Sequence, residues 1–553
     1  MAVSREEQVR NVTNEIWAMA NELRGNMDAS EYRNYILGFM FYRYLSEHQE
    51  NYIAEEELLD LNDGESVNDA YLKVPEDEIK DYMEDISSIL GYAIEPEDTW
   101  ATITKKVSES TIKPSDFQDM FDHFNENAKL NPNAERDFRR IFDDVNLVNS
   151  RLGNDTTSRA KSLTKIVELV DHFNYQDEDG HDILGDVYEY LIAQFAGNSG
   201  KKAGEFYTPH QVSKVLAKLV TMDMNDDNQF SIYDPTMGSG SLLLTVDGEV
   251  AKQSDKTVRF FGQELNTTTF NLARMNLMMH GVEYQNMTLK NADSLELDWP
   301  DGPDAQGIDH PRMFNAVVEN PPYSARWDND KNKLKDPRFR PYGALAPKTK
   351  ADYSFLLHGL YHLKSDGTMA IILPHGVLFR GAKGEGAKGE GKIRQTLIEK
   401  NQLDAVIGMP ANLFYNTSIP TVILVLKKQR TRKDVLFIDA SKNFEKGKNQ
   451  NTLRDEDIDK IIEAYSERKD IDKFSHVADL DEIKENEFNL NIPRYVDTFE
   501  EEAPVDIKKV SKELQDINKK IMETEKEFLS MVDELQVTDE SKDIIEAIKE
   551  AFK

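Results

Sequence analysis

Cysteine is absent from the 553 residues of this chain, which excludes a disulfide framework and any thiolate-bound metal. A reducing cytoplasm is the expected location. Long apolar runs are missing too. Nothing approaches the roughly 18 consecutive apolar residues of a membrane helix, and Met1 to Glu7 opens no signal peptide. Basic charge is scarce: 67 Lys and Arg stand against 101 Asp and Glu, a net charge of −34. A protein that grips nucleic-acid phosphates alone is usually basic, and this one repels polyanions over most of its surface. Either its substrate is not nucleic acid, or a partner supplies the grip and this chain brings the reaction. The length fits about three domains.

What is present is a short, chemically pointed motif. The strand-like run Phe314-Asn315-Ala316-Val317-Val318-Glu319 ends in Asn320-Pro321-Pro322-Tyr323. Such a tip suits methylation of a planar amino nitrogen, whose lone pair is delocalised into its ring. An asparagine oxygen and a neighbouring backbone carbonyl each accept one N–H bond, which draws the lone pair out of conjugation and aims it. The two prolines have fixed φ and no N–H, so they stiffen the loop and leave the Pro321 carbonyl free to accept. Tyr323 offers a face on which an extruded base stacks. A proline-stiffened surface loop is the plainer alternative for the motif alone.

A donor site is expected upstream. Phe230-Ser231-Ile232-Tyr233 reads as a buried strand, followed by Asp234-Pro235-Thr236-Met237-Gly238-Ser239-Gly240-Ser241 and the helical Leu242-Leu243-Leu244. Strand, glycine turn and helix place a ligand at the carboxyl edge of a parallel sheet. Two glycines of a dinucleotide fingerprint's three are present, so NAD is poorly supported. The carboxylate of Asp234 suits the ammonium of S-adenosylmethionine better than a pyrophosphate. A second strand, Val258 to Gln263, ends in Glu264, placed for ribose hydroxyls, and Asp293 follows Leu289-Lys290-Asn291-Ala292, where it could read the donor's adenine. Single acidic residues at strand ends are commonly just solvated. Three at successive strand ends before the Asn-Pro-Pro-Tyr tip form a rarer pattern.

In order and wording these segments resemble the modification (methyltransferase) subunit of type I restriction–modification systems, an N6-adenine DNA methyltransferase family. Gly204-Glu205-Phe206-Tyr207-Thr208-Pro209-His210 resembles the family segment that packs over the methionine end of the donor. Asp234 to Ser241, including Gly238, Ser239 and Gly240, resembles its donor loop, Glu264 its ribose carboxylate and Asn320 to Tyr323 its catalytic tip. Leu373 to Arg380 and Asn412 to Thr421 also resemble family segments. Glu319 departs from the pattern, which more often has a small residue before the asparagine. The resemblance implies S-adenosyl-L-methionine as methyl donor and no metal. It implies double-stranded DNA as substrate, with a DNA-specificity subunit, a second copy of this subunit and a restriction/translocase subunit as partners.

Local charge agrees with a DNA-facing loop. Residues 326–350 carry eight basic and three acidic side chains. Arg326, Lys331, Lys333, Lys335, Arg338 and Arg340 are the expected phosphate contacts, interleaved with Trp327, Phe339 and Tyr342. An ordinary lysine-rich surface loop is the alternative.

The fold class expected is α/β: a central Rossmann-like methyltransferase domain over residues 164–493, a helical N-terminal domain over 1–163 and a helical tail over 494–553. Val9, Val12, Ile16, Met19 and Leu23 recur at helical spacing in the first part. In the tail, Ile507, Val510, Leu514, Ile517, Ile521, Thr524, Phe528, Met531 and Leu535 step by three and four, a heptad seam. That seam either docks on its own chain or, as the resemblance implies, packs against the specificity subunit.

Three other signals are discounted. Gly386 to Lys392 matches a phosphate loop until Ile393 replaces the required Ser or Thr, and it lies in a tandem duplication of Gly381 to Glu385. His358 and His362 lack the glutamate of a zinc-protease motif, with Gly359 in its place. Ser239 lacks a nucleophile elbow. The expected reaction is direct methyl transfer to a flipped adenine, with rival substrates in a protein glutamine amide or an RNA adenine. A donor-binding scaffold in a larger complex is the non-enzymatic alternative.

Overall fold

A computed structural model describes residues 5–23, 27, 29–176, 182–198, 208–225, 227–296, 311–381, 388–414, 417–448, 450–498, 506–537 and 541–552. The chain divides into a large unit, Met1–Asp497, and a small one, Thr498–Lys553.

The large unit is built on a nine-stranded sheet ordered β11-β8-β6-β7-β5-β4-β1-β2-β3. In chain order its strands begin with β1 (Gln229–Asp234), β2 (Thr257–Glu264), β3 (Met287–Asn291), β4 (Phe314–Glu319), β5 (Leu363–Pro374), β6 (Leu403–Gly408), β7 (Thr421–Lys427) and β8 (Val435–Asp439). A two-stranded hairpin, β9 (Glu445–Lys446) with β10 (Asn451–Thr452), precedes the edge strand β11 (Ser475–Ala478). Strands β3, β2, β1, β4 and β5 run parallel to one another, whereas β7 is antiparallel to both its neighbours. The expected α/β architecture is present.

Strand alternation explains why both sheet faces are covered. Ile232, Phe260, Ala316, Val318, Ala370 and Ile372 belong to one buried cluster, and Tyr233, Phe261, Val317, Met369, Ile371 and Leu373 to the other. Every residue of β4 is buried, as in parallel strands covered on both sides, and the burial extends to the polar Asn315 and Glu319. The first cluster continues without a break into the N-terminal helices, through Ile36, Phe39, Met40 and Phe41 of the helix Ala29–Glu55. The helix Thr156–His172 spans the point where the sequence pattern changes from helical to alternating.

The small unit holds two helices, Ile507–Asp533 and Lys542–Ala551. Ile507, Val510, Leu514, Ile517 and Ile521 of the seam are exposed, while Val532 and Ile545 are buried and the rings of Phe528 and Phe552 sit 5.2 Å apart. Among the described residues no helix is long and apolar enough to cross a membrane.

Candidate active site

The ends of β1, β2 and β4 are adjacent in the sheet, and their terminal residues form the site. After β1, the turn closes through Gly240 N–H to the Met237 carbonyl at 2.8 Å, and Met237 N–H reaches the Gln263 carbonyl of β2 at 2.9 Å. Gly238 has φ +55° and Gly240 φ +80°, a left-handed region that disfavours a side chain. Gly240 then caps the helix Ser241–Gln253. Ser239 and Ser241 are buried, with their hydroxyls 3.0 Å apart, so both belong to the turn's own bonding.

Two carboxyls address this turn. Glu264 Oε2 accepts the Gly238 N–H at 3.1 Å and Oε1 accepts the Asn266 N–H at 2.8 Å. Asp234 is 2% exposed, and its Oδ1 accepts the Thr236 N–H at 2.8 Å. Burial pushes the Asp234 carboxyl up to about 7, against the opposing pull of the Thr236 bonds. Asp293 stands half-buried beyond β3, with Oδ1 accepting the Leu295 N–H at 2.9 Å. Among the described residues none of Asp234, Glu264, Asp293 or Glu319 is ion-paired.

Next to this cradle, β4 delivers the Asn-Pro-Pro-Tyr tip. Asn320 is 8% exposed; its Nδ2 donates to Thr208 Oγ1 at 2.9 Å, and its Oδ1 is buried with no hydrogen-bond partner among the described residues. The Tyr323 ring is half-buried and meets Phe414 edge-on, centroids 5.9 Å apart at 78°. Its hydroxyl is buried with no partner among the described residues, and burial raises its pKa well above the ordinary phenol value. Pro321 is buried and Pro322 half-buried. The tip is held from beneath: Ser324, at φ +55°, donates its N–H to Asp352 Oδ1 at 2.9 Å. Arg380 in turn pairs with Asp352 and, at 2.7 Å, with Glu390.

The expected residues therefore fall into groups. Asp234, Gly238, Ser239, Gly240, Ser241 and Glu264 meet at one turn, and Asn320 to Tyr323 stand on a neighbouring strand. Thr208 and Pro209 are buried and His210 begins the helix His210–Thr221. The Thr208 hydroxyl engages Asn320, so it links that segment to the tip. Glu205, Phe206 and Tyr207 lie outside the described residues, as do Gly386 and Ala387 of the discounted phosphate-loop match.

Two features of the basic loop correct the expectation. Arg338 is 3% exposed and cannot contact phosphate. It grips Asp336 with its Nε and an Nη (2.6 Å), and donates to the Ser294 carbonyl at 2.7 Å. Lys333 also turns inward, donating to Glu296 Oε1 at 2.7 Å and the Leu295 carbonyl at 3.2 Å. Trp327, Phe339 and Tyr342 are buried and form part of the core. Arg326, Lys331, Lys335 and Arg340 are exposed.

Arg338 also starts a buried chain that sequence reasoning did not find. One Nη lies 3.0 Å from His358 Nδ1; His358 Nε2 lies 2.7 Å from Tyr233 Oη, which lies 2.5 Å from Gln263 Oε1. A guanidinium only donates, so His358 Nδ1 accepts, Nε2 carries the proton, and Tyr233 donates onward to Gln263. Burial holds the imidazole pKa well below its usual value, so the ring is neutral. The chain ends beside Glu264. Outside this region, His123 Nδ1 pairs with Asp98 at 2.6 Å in the helical N-terminal part, with Glu95 at 3.5 Å.

The N-6 DNA methylase family matches residues 179–503, and the HsdM N-terminal domain matches residues 12–170. The chain is 35% identical to the methylase subunit of the type I restriction enzyme MpnII of Mycoplasma pneumoniae, over 98% of this chain and 100% of that one. It is 29% identical to the methylase subunit of the type I enzyme MjaVII of Methanocaldococcus jannaschii, over 90% and 80%. The crystal structure of a type I restriction-modification methyltransferase subunit from Streptococcus thermophilus superposes with a TM-score of 0.78 at 44% identity, over 89% and 100%. The chain belongs to the N-6 DNA methylase family and is a methylase subunit of a type I restriction–modification system, an adenine-specific DNA methyltransferase.

Proposed function

We propose that the chain takes its methyl group from S-adenosylmethionine and places it on adenine N6 at a DNA site chosen by a partner specificity subunit. The observation that carries this reading is the buried Asn320 Oδ1, which has no partner among the described residues, beside a turn whose carboxyls meet no cation among them. A buried acceptor left open is costly, by about 1–3 kcal/mol, and an N–H of the target amine would satisfy it.

The donor-site residues fit a ligand that is cationic at one end and rich in hydroxyls at the other. Asp234 suits an ammonium; Glu264, prealigned by Gly238 and Asn266, retains acceptor capacity for ribose hydroxyls; Asp293 suits an adenine amino group. When bound there, S-adenosylmethionine would supply an electrophilic methyl on sulfur. Asn320 and the Pro321 carbonyl hold the flipped adenine by N6, and Tyr323 stacks on its ring. The nitrogen lone pair, freed from conjugation by those two acceptors, forms the new N–C bond as the methyl leaves sulfur, and an N6 proton passes to water. No covalent enzyme intermediate and no metal are needed.

Residues 1–163 are read as a helical domain for partner or DNA contact, 164–493 as the catalytic domain and 494–553 as the region that docks on the specificity subunit. The exposed seam of the helix Ile507–Asp533 suits a helical partner, and a partner would supply the DNA grip that a charge of −34 denies this chain. A second copy of the chain and a restriction/translocase subunit complete the expected assembly. The absence of cysteine agrees with a cytoplasmic location. Equilibrium binding of labelled S-adenosylmethionine to the full chain tests the donor reading. Saturable binding weakened at least about tenfold by Asp234→Asn is expected; no binding, or binding indifferent to Asp234, moves the donor elsewhere.

A further inference from the structure

Glu319 is the residue of this site that the mechanism above does not use. It is fully buried, and neither carboxyl oxygen has a hydrogen-bond partner among the described residues. It is the last residue of β4, directly before Asn320, and faces the helix Asp352–Tyr361. The helix is notched to receive it: a Cβ at Gly359 would overlap Glu319 Oε1. An accommodated, unpartnered carboxyl is not a packing residue by default, because a buried carboxyl without partners is unfavourable.

The surroundings define what could satisfy it. Asp234 closes the neighbouring strand and is itself buried. From the helix Asp352–Tyr361 come Asp352, already bonded to Arg380, and the neutral His358, already bonded on both nitrogens. Strand β5 presents apolar Met369 and Ile371 to the same cluster, and Glu264 of β2 adds a third carboxyl nearby. The buried cations of the region are committed, Arg338 to Asp336 and Arg380 to Asp352 and Glu390. Two buried acidic groups thus sit at adjacent strand ends with no cation to meet them among the described residues. Burial and the proximity of Asp234 both favour the protonated form of Glu319 in the free chain. A cationic ligand would favour its ionised form.

We propose that Glu319 is a specificity residue that responds to the charge of the molecule at the donor site. It ionises when S-adenosylmethionine brings its sulfonium charge and is reprotonated when transfer leaves S-adenosylhomocysteine, which keeps the ammonium and carboxylate but has lost that charge, so donor is held in preference to product. This rests on the donor reading given above. The proton balance is closed: Glu319 releases its proton to solvent on donor binding. During transfer the N6–C bond forms, the C–S bond breaks and N6 loses a proton to water. Glu319 then recovers a proton from solvent. Its role is through the electrostatics of the pocket, and it touches neither reacting atom.

The experiment is isothermal titration of the full chain with S-adenosylmethionine and with S-adenosylhomocysteine near pH 7, in two buffers of different ionisation enthalpy. Asp234 meets the same ammonium in both ligands, so the readout is the excess of protons released with the donor over those released with the product. The wild-type chain should show that excess. Glu319→Gln should remove it and reduce the donor-over-product preference about tenfold, the factor equivalent to one pKa unit, while Glu319→Asp should retain it. Donor binding with no excess over product in the wild-type chain overturns the inference and leaves the donor reading intact. An excess that persists in Glu319→Gln also overturns it. Failure of the wild-type chain to bind S-adenosylmethionine defeats the donor reading itself. The wild-type measurement decides even if a variant fails to fold.

Discussion

Asn320 Nδ2 donates to Thr208 Oγ1 at 2.9 Å, and this one bond sets the direction of the Asn320 amide. With its nitrogen end engaged, the amide presents on the other side an oxygen with no partner among the described residues. Asn320→Ala removes that acceptor without disturbing the turn that carries Asp234 and Gly238. Transfer should fall at least about a hundredfold, the scale of losing one preorganised polar group in an active site, with donor affinity largely retained. Steady-state transfer and equilibrium donor binding, measured on the same preparation, separate the two. Equal loss of both would make Asn320 structural.

Thr208→Val keeps the volume and removes the hydroxyl that fixes the amide. The expected result is a lower kcat with little change in donor affinity. An unchanged kcat would show that the amide finds its orientation without Thr208.

Gly238 combines φ +55° with an N–H given to Glu264. Gly238→Val places a β-branched side chain in a conformation that disfavours it by roughly 1–2 kcal/mol even for unbranched residues. Donor affinity should drop about tenfold or more, read by equilibrium dialysis, with the thermal transition showing whether the fold survives. Undiminished affinity would place the donor away from this turn.

The Asp234 carboxyl, raised to about 7 by burial, implies a pH dependence of definite sign. A raised folded-state pKa stabilises the fold below the unfolded value near about 4, and that contribution is lost as pH rises through about 7. A cationic ligand reverses the preference because it favours the ionised carboxylate. Affinity for S-adenosylmethionine should therefore rise with pH and level off above about 7, and Asp234→Asn should flatten the curve. Affinity that falls over the same window would contradict the assignment.

Arg338 and Arg340 are two residues apart and should behave in opposite ways. Arg338→Ala strands Asp336 and the chain through His358 and Tyr233 to Gln263. Breaking a buried pair costs about 3–5 kcal/mol, so thermal stability and donor affinity should both fall. Arg340 is exposed. Arg340→Ala should leave stability alone and lower the salt slope of DNA binding by the assembled complex by about one. Equal effects on the salt slope from both variants would refute the division.

Part of this constellation is legible in the sequence. Asp234, Gly238 and Glu264, and Asn320 to Tyr323, stand out because each motif sits on a single strand end, where residue type and local geometry are tightly linked, and the sheet order brings those ends together. Arg338 was misassigned because a charge count does not register burial: the Asp two residues earlier and a carbonyl 44 residues away turn it inward. The bond between Thr208 and Asn320 spans 112 positions, beyond any local pattern. Glu319 was visible only as an unexpected residue before the asparagine, since its meaning depends on the space left by Gly359 on another element. The seam from Ile507 to Leu535 gave its helix through spacing, but spacing does not identify what covers it.

The most direct test is transfer of labelled methyl from S-adenosylmethionine to unmethylated double-stranded DNA, by the chain alone and by its affinity-purified native complex. The account predicts label on adenine N6 with the complex and none with the lone chain. Label from the lone chain would refute the partner argument drawn from its charge, and absence of N6 label from the complex would contradict the proposed reaction.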